Sequence, residues 1–156
     1  MKKIKIINAL LVLLAMTLFS SCLKSDLDDL ETYEGNDITS VVAVYHRYYD
    51  STTIPVSGEK RVLQSQLRAQ SKIDTDTKTV TITVSVPSNF PDAEKANVSA
   101  NNLVVVLGIS TAAVITPEGG SPTLGAPGDW SKPNKYIVKA ADGKTAEWTI
   151  SVTVQK

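Results

Sequence analysis

The sequence predicts an all-β protein, an antiparallel β-sandwich of about six to seven strands, and three observations carry that prediction. Apolar and polar residues alternate with period two in several segments, as in strands with one buried face. Turn residues bound those segments at short spacing. No segment has the i, i+3, i+4 apolar spacing of a convincing amphipathic helix. Several short strands spread over residues 38–156 suit two packed sheets.

The elements follow in order. Ser40–Tyr49 has apolar or aromatic residues on both faces, which predicts a central strand. In Leu63–Ile73, Leu63, Leu67, Ala69 and Ile73 share one parity, while Gln64, Gln66, Arg68, Gln70 and Lys72 fill the other. Thr79–Val86 places Val80, Ile82, Val84 and Val86 against Thr79, Thr81, Thr83 and Ser85. The polar turn Asp74-Thr75-Asp76-Thr77-Lys78 joins these two strands as a hairpin. Pro87 ends the second one by withdrawing a ladder donor. Pro91–Asn97 predicts one helical turn. Leu103–Leu107 is a continuous β-branched apolar run of strand length. Ala112–Ile115 predicts a short edge strand. Tyr136–Ala140 and Trp148–Gln155 alternate again, joined by Ala141-Asp142-Gly143-Lys144 with its Asp-Gly turn.

The N-terminus has another character. Lys2, Lys3 and Lys5 form a basic start, and Ile6–Phe19 is an apolar run interrupted by Asn8 and Thr17. That run suits a signal peptide and falls short of the ~20 residues that span a bilayer. Ser20, Ser21 and Cys22 follow, a pattern that resembles the lipobox of bacterial lipoproteins. The resemblance implies cleavage before Cys22, acylation of its thiol and amine, and a stable hold on a membrane through more than one acyl chain. Cys22 is the single cysteine of the chain. The expected organisation is a signal peptide over residues 1–21, a lipidated cysteine and acidic flexible tether over 22–37, and the sandwich over 38–156. In the tether, Lys24, Ser25, Asp26, Asp28 and Asp29 resemble the acidic export signal of Bacteroidota lipoproteins. This implies an outer-membrane location facing the cell exterior.

Charge narrows the partners. Loss of residues 1–21 leaves 13 basic against 16 acidic residues, a net charge of −3. A nucleic-acid partner is not expected, because phosphate binding needs a concentrated basic face. No disulfide can form within the mature monomer.

The C-terminal part carries a second resemblance. Pro117-Glu118-Gly119-Gly120, Asp129-Trp130-Ser131-Lys132-Pro133, Tyr136 through Gly143, and Trp148 through Val152 form a pattern similar to the immunoglobulin-like domains of Bacteroidota surface lipoproteins. Such proteins occur beside polysaccharide-uptake systems and among adhesin-like proteins. The resemblance implies an immunoglobulin-like form of the sandwich and a surface location.

Catalytic chemistry finds little support. The single histidine, His46, lies in a strand with Tyr45, Tyr48 and Tyr49, and no nucleophile motif accompanies it. Asp74, Asp76 and Asp142 sit where turns use aspartate. The expectation is no enzyme, no cofactor and no metal. Trp148 shares parity with Ile150 and Val152 and is expected in the core. The resemblance to the immunoglobulin-like domains implies that Trp130 plugs one end of the sandwich. As weak ligand-binding candidates the sequence offers Trp130, Tyr48 and Tyr49. The loop Gly119–Pro133 is a candidate contact surface. Aromatic residues make up 6% of the chain, which does not favour a broad stacking platform. The function expected is a non-catalytic binding or assembly accessory of a polysaccharide-uptake or adhesion system. Its partners would be the membrane through the lipid, and a glycan or an outer-membrane protein complex. The alternatives are a small surface glycoside hydrolase or other hydrolase, and a fimbrial subunit.

Overall fold

Strand follows strand along nearly the whole length that the structure, a computed structural model, describes, residues 32–155. The elements are β1 (Ile38–Thr53), β2 (Lys60–Asp74), β3 (Thr79–Ser85), a helical turn α1 (Asp92–Lys95), a 3-10 turn (Ala100–Asn102), β4 (Leu103–Ile109), β5 (Val114–Glu118), β6 (Pro127–Gly128), β7 (Asn134–Lys139) and β8 (Thr145–Gln155). The fold is all β, as predicted. Among the described residues eight strands form one curled sheet in the order β5-β7-β8-β3-β2-β1-β4-β6. Cys22, Lys24, Ser25, Asp26, Asp28 and Asp29 lie outside the described residues.

The curl is made by β2. As far as Leu67, opposite Val44, it pairs with β1; from Arg68, opposite Ser85, it pairs with β3. One long strand thus serves both layers. The layers face each other across Ile38, Val44, Leu103 and Val105 on one side and Val80, Ile82, Val84, Tyr136, Trp148 and Ile150 on the other. The predicted period-two faces account for this core. Val80, Ile82 and Val84 are buried, while the threonines between them are partly or fully exposed. Each such side chain contributes roughly 1.5–3 kcal/mol by leaving water.

The sheet departs from the antiparallel prediction at one place. β3 and β8 are parallel, with Thr79 opposite Thr149 and Ser85 opposite Gln155. Parallel neighbours need a long crossover, and all the chain from Val86 to Lys144 supplies it. Alternation along a strand reports which face is buried but not the direction of its neighbour. The strand count also rises, because β6 is a two-residue strand on the edge of β4, too short to leave a pattern.

The last residues before β1 are bonded to the sandwich. The Trp148 indole N–H donates to the Asn36 carbonyl at 3.0 Å, and the Asp37 N–H donates to Ser110 Oγ at 3.0 Å. Asp37 also pairs with Lys78 Nζ at 2.6 Å. These contacts fall on the C-terminal end of the segment expected as tether.

Candidate binding depression at the step beside strand β1

The site begins with a mismatch of strand lengths. Val44 to His46 of β1 are paired on both sides, to β2 and to β4. The pairing with β4 ends at His46 opposite Leu103. From Arg47 onward β1 pairs with β2 alone, and the two run on as a hairpin arm. Its tip is closed by hydrogen bonds from Ile54 N–H to Glu59 O and from Gly58 N–H to Ile54 O, both 2.8 Å. Gly58 has φ +71°, a conformation that glycine adopts without a Cβ penalty.

Asp50 fixes the irregular register between Tyr49 and Thr53. It accepts hydrogen bonds from Thr52 Oγ1 and from Arg61 Nη2, both at 2.6 Å. The Thr52 hydroxyl, then the Arg61 guanidinium, hold its carboxyl well below the usual carboxylate range.

A depression of about 440 Å³ lies at the step where β4 and β6 stop and the arm continues. Arg47, Tyr48, Tyr49, Val62, Asn102 and Pro127 line it. Tyr49 is 69% exposed and stands opposite Val62, itself 55% exposed. Tyr48 is half-buried; its ring stacks on His46 with centroids 5.8 Å apart, and its hydroxyl lies 3.3 Å from Ser65 Oγ. Arg47 Nη2 donates to Gln64 Oε1 at 3.2 Å. None of the six lining residues is acidic.

His46 is a packed strand residue. It is 3% exposed, with Nε2 3.3 Å from Glu94 Oε2 of α1 and Phe90 beside the ring. Its Nδ1 has no hydrogen-bond partner among the described residues. The acids named from the sequence serve turns. Asp74 Oδ1 accepts the N–H groups of Asp76 and Thr77 at 3.1 and 2.9 Å, and Asp142 Oδ1 accepts that of Lys144 at 2.9 Å. Among the described residues no group of three or more His, Cys, Asp or Glu could hold a metal ion.

Of the three ligand candidates, Tyr48 and Tyr49 come together in the depression and Trp130 does not. Trp130 is 0% exposed. Its indole N–H donates to the Leu103 carbonyl at 3.1 Å, and its ring stacks on Tyr136 at 6.0 Å. It is therefore removed from the ligand contacts and is a plug in the core, where its large apolar surface is best placed. Trp148 is buried as well. The Gly119–Pro133 loop borders a second, shallower depression of about 190 Å³. The alternation pattern gave no sign of Arg47, Val62 or Asn102, while Pro127 belongs to the Gly119–Pro133 loop already named as a contact surface. The four come from separate segments.

Residues 38–151 match the DUF5018-related family. The chain belongs to that family. The DUF5018-related region runs from the first residue of β1 nearly to the end of β8, so it takes in both layers and the arm. Among solved structures, a crystal structure of a candidate secreted protein from Bacteroides fragilis is similar to this chain. The two are 40% identical, with a TM-score of 0.69, over 80% of this chain and 99% of that one. Both matches fit a protein of Bacteroidota type, in line with the C-terminal motifs. No curated protein matches the chain.

Proposed function

We propose that the chain is a non-catalytic surface lipoprotein of the immunoglobulin-like type that its C-terminal motifs resemble. It is anchored through Cys22, displayed on the outer face of the outer membrane, and serves as a binding accessory of a polysaccharide-uptake or adhesion system. The depression beside the arm is its binding site. The observation that carries this reading is the lining itself: an exposed tyrosine, a guanidinium and an amide meet in one concavity with no carboxylate or histidine. Such a set stacks on and hydrogen-bonds a ligand, whereas glycoside hydrolysis asks for two carboxylates across the scissile bond. The compartment is supported by the lipobox-like pattern and by the candidate secreted relative in Bacteroides fragilis. No helix among the described residues is long and apolar enough to cross a membrane.

Two measurements test it. Cys22→Ala should abolish globomycin-sensitive processing and release the protein from membranes, and protease shaving of intact cells should remove the wild-type domain. Tyr49→Ala should lower retention on immobilised outer-membrane glycans and keep the circular dichroism spectrum. Wild-type protein that stays soluble, or that binds no glycan and no outer-membrane protein in a pull-down, would overturn the reading.

A further inference from the structure

We propose that the depression beside the arm recognises an acidic sugar, a uronate residue of a glycan. Its carboxylate pairs with Arg47, and the apolar face of its ring rests on Tyr49. This rests on the binding-module reading above and names the ligand class for the same site.

The argument starts from charge. Arg47 is half-buried, and its polar contact is the neutral amide of Gln64 at 3.2 Å. It forms no ion pair with any described carboxylate. The neighbouring acid on the arm, Asp50, is already taken by Arg61 at 2.6 Å. With no acid in the lining, the guanidinium leaves an uncompensated positive charge at the concavity. One of its five N–H donors is used by Gln64, and the rest keep the planar fork that matches a carboxylate.

Two other depressions among the described residues are built differently. In the one under the Gly119–Pro133 loop, Lys135 is paired with Glu147 at 2.6 Å and Glu118 is part of the wall. In a third, of about 300 Å³ beside Pro87, Lys95 is paired with Asp92 at 2.6 Å. Lys135 and Lys95 are thus neutralised by the protein itself, whereas Arg47 is not. Lys132, which also lines the first of these walls without an ion pair to a described carboxylate, is exposed and offers a point charge rather than a planar fork.

The remaining groups favour a sugar over a bare anion. Tyr49 and Val62 are cross-strand partners, and both are exposed. They make an apolar ledge beside the guanidinium, which a free carboxylate or phosphate would not use. The C–H face of a pyranose would. The side-chain amide of Asn102, which bonds to no described residue, offers a donor and an acceptor to ring hydroxyls. The volume falls in the range of small-ligand sites and suits one or two sugar units.

The test is calorimetric titration of the full chain in detergent micelles at low salt. The probes are oligogalacturonate and oligoglucuronate, the methyl esters of both, and polyglutamate of matched charge. The expected result is binding of the acid sugars, at least a tenfold loss on esterification, and little binding of polyglutamate. Arg47→Gln should weaken acid-sugar binding about tenfold, with Arg47→Lys in between, because lysine keeps the charge and loses the fork. Tyr49→Ala should weaken it as well, with an unchanged circular dichroism spectrum. Equal binding of acid and ester sugars, unaffected by Arg47→Gln, overturns the acidic specificity and leaves the glycan-binding reading standing. Equal binding of polyglutamate overturns the sugar. Binding of none of the probes overturns this inference, and the wider reading then rests on its own glycan and pull-down tests.

Discussion

Trp130 shows how much one side chain ties together. Its backbone N–H donates to Ala100 O at 2.7 Å and its indole N–H to Leu103 O at 3.1 Å, while the ring lies on Tyr136. The residues around it set its direction. Asp129 Oδ1 accepts both the N–H and the hydroxyl of Ser131, at 2.9 and 2.6 Å, and the buried Asn134 amide donates to the Asp129 and Lys132 carbonyls. The Asp-Trp-Ser stretch is thus a turn that aims an indole inward. Trp130→Ala should destabilise the protein by about 3–5 kcal/mol, and Trp130→Phe by less, read from urea unfolding with unchanged slope. A loss below ~1 kcal/mol for the alanine variant would disprove the plug, since surface substitutions stay within about 0.5 kcal/mol. That this motif matters was legible in the sequence. That its tryptophan plugs the sandwich was expected from the resemblance and not from periodicity, which a loop lacks; its complete burial is what removes it from the ligand candidates.

Among the elements, the β2–β3 hairpin is held by Asp74. Hydrogen bonds from Thr77, backbone first, hold its pKa below the ordinary carboxylate value, with Asp76 adding to them. The sign follows from linkage. A carboxyl with a depressed folded-state pKa stabilises the fold above its unfolded value, near pH 4, and that contribution is lost as pH falls through the folded value. Asp74→Ala should therefore lower stability at pH 7 and flatten its decline between about pH 5 and 2, whereas Asp74→Asn should keep much of the turn and also flatten the decline. Thermal melts across that range would show it, and an acid limb identical to wild type would refute it. The element boundaries were legible to within a few residues. The predicted strand Ser40–Tyr49 extends to Thr53, because pairing with β2 continues beyond the apolar stretch. The edge strand predicted at Ala112–Ile115 lies at Val114–Glu118 instead, since Ala112 sits at φ +60° inside the preceding turn.

On the scale of the whole molecule, stability should be uneven. β3 and β8 lie in the middle of the sheet and carry buried residues on alternate positions. The arm beyond Tyr49 is exposed, with Val56 98% accessible at its tip. Hydrogen exchange should find the amides of Val80–Val84 and Ile150–Val152 protected close to the global unfolding energy, and those of Ser51–Arg61 opening far more easily. Uniform protection would mean that the arm belongs to the cooperative core. A site on such an arm can adjust to a ligand without straining the sandwich.

By itself the sequence determined the all-β class, most strand positions, the buried faces and the turn residues. Each of these depends on local alternation or on the backbone preferences of a few neighbouring residues. The tertiary structure decided three other things: the parallel contact of β3 with β8, the change of partner along β2, and the step where β4 stops beside β1. These are relations between segments far apart in the chain, and period-two patterning is silent about them. The depression belongs to the second group. Tyr48 and Tyr49 could be picked out as aromatic residues in a strand, but Arg47, Val62, Asn102 and Pro127 join them only because strands of unequal length lie side by side.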